Sequence, residues 1–201
     1  MGKLPQMKHS YFLRVYNYIL LSFLLLFVNT YSQTLTDSNL PIVIITTDIN
    51  PGTNQPYEIV DSPDVLGNMK IIKHPDGTRN YVTDQNTPAF LNYNGRLAIQ
   101  IRGSSSQSID KKGYKVTTVQ ADNVTNNNVS LLGMPSENDW VLNGLAFDPS
   151  LIRDYLAYNL SRQMGNYAPR TQYCELIING DYRGLYLLQE KIKADTNRVN
   201  I

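Results

Sequence analysis

Cysteine and histidine are scarce in this chain of 201 residues, which has one of the first and two of the second. A lone Cys174 excludes an internal disulfide, although an exported protein would permit one. Its setting within an apolar strand pattern marks a buried structural thiol and not a nucleophile. Beyond the N-terminal segment only His74 accompanies it, so a Cys/His cluster for a metal is unsupported. An excess of positive charge is missing as well. Residues 1–32 carry Lys3, Lys8 and Arg14 and no acid, so removing them takes the formal net charge from +1 to −2. That excludes the basic footprint of a nucleic-acid-binding or membrane-surface protein. Neither an internal repeat nor a heptad pattern is visible.

Long hydrophobic runs are also lacking. The mostly apolar stretch 18–28 is shorter than the roughly 18 to 20 residues that cross a bilayer. With basic residues before it and the small residues of Thr30-Tyr31-Ser32 after it, residues 1–32 read as a secretory signal peptide. A single membrane anchor is the alternative that the length disfavours. The expectation is therefore a secreted or cell-surface protein with no stable membrane span after cleavage. The remaining stretch of about 170 residues suits one domain with a modest core.

Apolar segments in that stretch are separated by spacers rich in Asn, Asp, Thr and Pro. Residues 40–47 are β-branched and almost wholly apolar, which predicts a strand buried on both faces or paired early in a sheet. Residues 69–73 and 80–83 flank His74-Pro75-Asp76-Gly77-Thr78-Arg79, where Pro75 and Gly77 predict a hairpin turn. A further strand is expected over 96–102, entered through a turn at Asn94-Gly95. Trp140 reads as a core anchor. Asp148 as a cap, Pro149 in the first turn and apolar residues at Leu151, Ile152, Tyr155, Leu156, Leu160 and Met164 predict a helix, which Gly165 ends. Asn179-Gly180 between the apolar runs 173–178 and 185–188 is the strongest short hairpin signal in the chain.

Three places invite a chemical reading. Arg102 and the small-residue loop of Gly103, Ser104 and their neighbours to Ser108 precede a lysine-bearing segment with Lys112 and Lys115. Backbone N–H groups and an ammonium there supply what phosphoryl oxygens need, while an ordinary loop and solvated edge lysines are the plainer reading. Lys112 and Lys115 differ by an odd number of positions, so a regular strand turns at most one of them toward a bound phosphate. Arg153 and Asp154 sit early in the predicted helix, where they either face a cleft or form a solvated pair. Glu190 lies where the last strand leaves the sheet, and lines a cleft or marks a solvated exit.

The clusters "IRGSSSQSIDKKGYKV", "LLGMPSENDWVL", "SLIRDYLAYNLSRQMG", "APRTQYCELIINGDYRGLYLLQEKI" and "NRVNI" occur in an order and spacing that resemble the spore coat protein H (CotH) kinase family. The resemblance spans residues 96–201. It implies an α+β fold, an atypical protein-kinase-like small lobe, here with a β-rich N-terminal extension over 33–95. It further implies ATP with magnesium as cofactors, and transfer of phosphate to Ser or Thr of secreted or surface proteins as partners. On that pattern Arg102, Gly103 and Ser104 approach the phosphates, Lys112 or Lys115 neutralises them, and Glu190 lies near adenine or ribose. Arg153 or Asp154 becomes a candidate partner for the phosphate-binding lysine. Gly113 departs from the family, standing where a proline or serine often follows the paired lysines.

In the family, the carboxylates that hold magnesium and orient the attacking hydroxyl follow the "NRVNI" region. The expectation is therefore a small lobe without its C-terminal lobe, inactive alone and exposing the apolar face meant for that partner. Two other readings stay open: a noncatalytic cell-surface adhesion or structural binding module, and a separate structural module over residues 33–95.

Overall fold

The computed structural model describes residues 34–199, together with Arg14, Tyr16 and Tyr18, which are helical. The chain divides into two units, Met1–Gln33 and Thr34–Ile201. Apart from those three positions, the signal peptide expected over 1–32 lies outside the described residues.

Within the second unit, seven strands close a barrel among the described residues. They are β1 (Ile42–Thr47), β2 (Val65–Ile72), β3 (Leu91–Arg102), β4 (Gly113–Val119), β5 (Asp139–Asn143), β6 (Thr171–Ile178) and β7 (Asp181–Glu190). One α-helix beyond Gln33, α1 (Arg153–Gln163), connects β5 to β6. The composition is α+β. Round the barrel the order is β6, β7, β5, β4, β3, β2, β1. Neighbours are antiparallel except at the closure, where β1 runs parallel to β6 with Ile42 opposite Glu175 and Ile45 opposite Ile178.

The β-branched run in β1 explains why the barrel closes there. Val43 and Ile45 turn inward to a core that includes Met69, Leu97, Val116, Trp140, Leu176 and Leu188. Ile42 and Ile44 turn outward, yet they are buried too, against Ile72 and Ile177 under Leu35, Val82, Phe90 and Tyr182. Each such side chain contributes roughly 1.5–3 kcal/mol by burial. The expected strand buried on both faces is thus present. Trp140 is fully buried, and its indole N–H donates to the Glu137 carbonyl at 3.2 Å.

Asn179 and Gly180 form the two-residue turn between β6 and β7 with φ of 52° and 83°, the left-handed pair that a tight hairpin requires. Asn179 Oδ1 also accepts from the backbone N–H of Thr47 at 2.9 Å, tying the turn to the end of β1.

Four sequence expectations are corrected. The turn at Pro75-Asp76-Gly77 forms, but residues 80–83 do not return to pair with 69–73. β2 pairs instead with β1 and β3, while Asn80 and Tyr81 pair with Ser38 and Asp37. The Asn80 side chain accounts for the diversion, accepting from His74 N at 2.8 Å and donating to the Leu40 carbonyl at 2.9 Å. Asn94-Gly95 is not a turn but the middle of β3, opposite Lys70 and Met69. Glycine stands there because the Tyr93 hydroxyl arches over it to donate to the Arg96 carbonyl; a Cβ on Gly95 would lie 2.5 Å from the Tyr93 hydroxyl oxygen.

The third correction concerns organisation. The boundary placed at 95/96 falls inside β3, and residues 42–72 supply two barrel strands, so residues 33–95 are built into the sheet and not a module packed on it. The helix is also shorter than 149–164 and starts at Arg153, because Leu151 at φ 57° breaks the run. The N-cap is Ile152, without a side-chain cap bond, and Pro149 lies outside the first turn; Asp148 reaches the helix only from four residues before that position, accepting from Arg153 N at 2.8 Å. Gly165 at φ 83° follows its end, with its N–H on the Arg162 carbonyl.

Candidate functional site: a basic groove at one end of the barrel

Pairing of Arg102 with Gly113 and of Tyr114 with Leu142 brings the β3–β4 loop and the β5–α1 loop together at one barrel end. Their backbones touch at Gly144, where a Cβ would stand 3.0 Å from the Lys112 carbonyl oxygen and 3.1 Å from that of Lys111. Any larger residue would part the loops.

Two adjoining cavities open there. One, of about 200 Å³, is lined by Arg102, Gly103, Ser106, Lys111, Gly113 and residues 143–147. The other, of about 260 Å³, is lined by Asn143, residues 145–148, Arg153 and Asp154. They share Asn143, Leu145, Ala146 and Phe147 and form one groove. Arg102, Lys111 and Arg153 bring three cations to it; Asp148 and Asp154 bring two carboxylates.

The carboxylates are already engaged. Asp154 Oδ2 accepts from Asn143 Nδ2 at 2.8 Å. Asp148 takes hydrogen bonds from Ser150 and from the backbone of Arg153. The Ser150 side chain foremost, then the Arg153 and Ser150 backbone N–H groups and the Arg153 charge, hold Asp148 below its usual range against the opposing effect of burial. By contrast, Arg102 and Lys111 take part in none of the ion pairs among the described residues. The Lys111 ammonium lies 5.2 Å from the centre of the Tyr186 ring, a cation–π contact. Burial lowers its pKa, partly offset by the negative charge of Glu175. Arg102 is exposed and Lys111 half-buried, so the two place positive charge outside any ion pair along the groove.

The structure brings Arg102 and Gly103 into the groove, with Ser104 next to them in the loop. It takes the other sequence candidates elsewhere. Lys112 precedes β4, and its Nζ donates to the Gln107 carbonyl at 2.6 Å, closing the β3–β4 loop on itself. Lys115 points out of the barrel, since its neighbours Tyr114 and Val116 point in, and its Nζ meets Asp64 at 3.3 Å. Glu190 is fully buried. Its oxygens accept from Arg170 N at 2.8 Å, Arg170 Nη1 at 3.2 Å and Arg198 Nη1 at 3.0 Å, so its carboxylate is filled from within the protein. Arg153 and Asp154 do line the second cavity, Asp154 through its bond to Asn143.

Sequence reasoning missed Lys111, although the doubled Lys111-Lys112 was the available signal. Strand parity cannot choose between two lysines that both precede the strand. Phe147 was also missed, because a single aromatic in a loop carries no periodic signal.

Every residue lining the two cavities falls within residues 99–201, which match the family model described as CotH kinase protein. That stretch is just over half of the chain. The chain belongs to the CotH kinase family. No curated protein matches it. Membership in the CotH family suggests a kinase-like function with use of ATP and a metal. The groove's unpaired cations fit a polyphosphate. A metal does not fit in the same way: among the described residues no three His, Cys, Asp or Glu side chains converge to hold one.

Proposed function

We propose that this chain supplies the nucleotide-binding, small-lobe-like part of an exported protein kinase that transfers phosphate from ATP to Ser or Thr of secreted or surface proteins. The observation that carries the reading is the groove that Arg102 and Lys111, both outside any ion pair, line together with Gly103 and Gly113. Lys111 takes the place that the sequence offered to Lys112 or Lys115. Its ammonium and the Arg102 guanidinium neutralise phosphate oxygens, and the partial burial of Lys111 strengthens its share of that attraction. The part of that reaction assigned to the described residues is nucleotide binding at this groove.

Calorimetric titration with ATP tests this. Binding that Lys111→Ala weakens and Lys115→Ala leaves alone is the expected result; a wild-type chain that takes up no ATP overturns the reading. The engaged state of Asp148 and Asp154 favours one second reading, a noncatalytic surface-binding module of the same fold, which failure to bind ATP would leave standing.

A further inference from the structure

Lys111 is held in place by carbon and not by oxygen. Its Cγ packs on the backbone of Gly144, where a Cβ would stand 3.3 Å away, and its Nζ sits beside Gly184, 3.8 Å from where a Cβ would be. The Tyr186 ring beneath the amine is itself fixed, since its hydroxyl donates to the Lys112 carbonyl at 2.9 Å. Other lysines have partners. Lys70, Lys112, Lys115 and Lys193 each reach an oxygen within 3.3 Å, and Lys191 reaches one at 3.8 Å. The Lys73 side chain is free but exposed and stands outside the groove. Lys111 thus combines a half-buried amine, a cavity in front of it and no acceptor among the described residues. Burial lowers its pKa against the opposing charge of Glu175, which enlarges the share of neutral amine, the nucleophilic form.

We propose that Lys111 is an acylation site for small acyl phosphates, with Arg102 holding the phosphate while the Lys111 amine attacks the neighbouring carbonyl carbon. Both side chains line the same cavity of about 200 Å³. A guanidinium can take two phosphoryl oxygens at once, which presents the mixed anhydride to the amine. In the step a C–N bond forms and the C–O bond to phosphate breaks. Phosphate leaves as hydrogen phosphate, carrying the proton that the amine gives up, so atoms and charge balance with no further reactant. A phosphorylated aldehyde fits less well. Its carbinolamine must lose water, which calls for an acid, and no carboxyl, imidazole or thiol group lines this cavity. The product of acylation is a neutral amide. It leaves Arg102 as the only cation lining this cavity, so the modified groove holds any polyanion less tightly. This chemistry goes beyond the ATP reading and does not require ATP as the groove's natural occupant.

The test is a time course of the whole chain with acetyl phosphate at about pH 8, read by peptide mass spectrometry at each lysine, with exposed Lys73 as the internal reference. Lys111 should gain acetyl roughly tenfold faster than Lys73, the advantage of a held reagent over a free one. Saturating inorganic tripolyphosphate should remove that advantage. Arg102→Gln should slow Lys111 to the pace of Lys73 with acetyl phosphate, yet leave its rate with acetic anhydride, which carries no phosphate, unchanged. A thermal melt checks the fold of the variant, and the tripolyphosphate arm needs only the wild type. Acetylation of Lys111 no faster than that of Lys73 overturns the proposal. An Arg102→Gln chain that keeps the fast rate with acetyl phosphate overturns it too, since the phosphate would then not be held at Arg102. Equal slowing with both reagents would make Arg102 a support of the loop and would likewise end the proposal.

Discussion

Glu190 and Arg198 meet at 3.0 Å with both side chains wholly withdrawn from solvent. The guanidinium carbon of Arg198 lies 5.0 Å from the centre of the Trp140 ring, and its Nε and Nη2 atoms are buried with no hydrogen-bond partner. This pair fastens the segment that follows β7 to the barrel. Removing one member strands the other charge in a dry interior, which costs about 3–5 kcal/mol. Glu190→Ala and Arg198→Ala should each lose that much in urea unfolding. The double variant Glu190→Met with Arg198→Met should lose far less than the sum, since an apolar replacement of a buried pair is often close to neutral. Additive losses would mean that the two side chains do not act as a pair.

Acid should loosen the same segment at Asp139. Its carboxylate meets Lys193 Nζ at 3.1 Å and Lys191 Nζ at 3.8 Å. Burial pushes its pKa up, but the Lys193 hydrogen bond, the Lys191 and Lys193 charges and the Thr117 hydroxyl together hold it below its ordinary value of 3.8. A carboxyl depressed in the folded state stabilises fully above its unfolded value and loses that contribution as pH falls through the folded one. Asp139→Asn should therefore be less stable than the wild type at pH 7, and the gap should close toward pH 2–3. Urea midpoints at pH 7, 5 and 3 check this; a gap independent of pH would assign the effect to packing.

Cys174 should resist thiol reagents in the native protein. It is fully buried in β6, and burial pushes its thiol up to about 12, so the reactive thiolate is scarce at neutral pH. Labelling by iodoacetamide at pH 8 should proceed only at the rate of unfolding and become fast in urea. Rapid native labelling would show that β6 separates from β1 without global unfolding.

The apolar stripe on α1 should tolerate polar substitution. Leu156 and Leu160 are 53% and 59% exposed, and Ile152 and Met164 continue the row at four-residue spacing. Leu156→Gln with Leu160→Gln should change unfolding free energy by no more than about 0.5 kcal/mol per site, the usual range for surface positions. A total loss above about 2 kcal/mol, measured by urea unfolding, would mean that the stripe is covered in solution.

That stripe also shows where sequence reasoning reaches its limit. Spacing of apolar residues located the helix, but it could not show that the periodic face is turned to solvent and not to the core. Signals confined to a few neighbouring residues were read correctly: the left-handed pair Asn179-Gly180 and the doubly buried run of β1. Partners distant in sequence were not legible. Nothing near residue 80 announces that Asn80 will bond to Leu40, and nothing near Ile42 announces Glu175 across the closure. The groove was legible only in half. Arg102 and Gly103 stand in a loop of telling composition, whereas Lys111 gains its role from a contact with Tyr186, 75 positions away.

The parallel join of β1 to β6 has a consequence in time. Residues 42–45 cannot find their neighbours at 175–178 until some 130 further residues have been made, which at about 5–20 residues per second takes roughly 7 to 26 seconds. Throughout that interval Ile42, Val43, Ile44 and Ile45 have only β2 beside them, and a short β-branched run with one open edge is the kind of segment that pairs with other chains. A finished barrel has no edge to offer. The newborn chain does, and its yield when expressed should depend more on how crowded its neighbours are before residue 178 emerges than on how stable the closed form is afterwards.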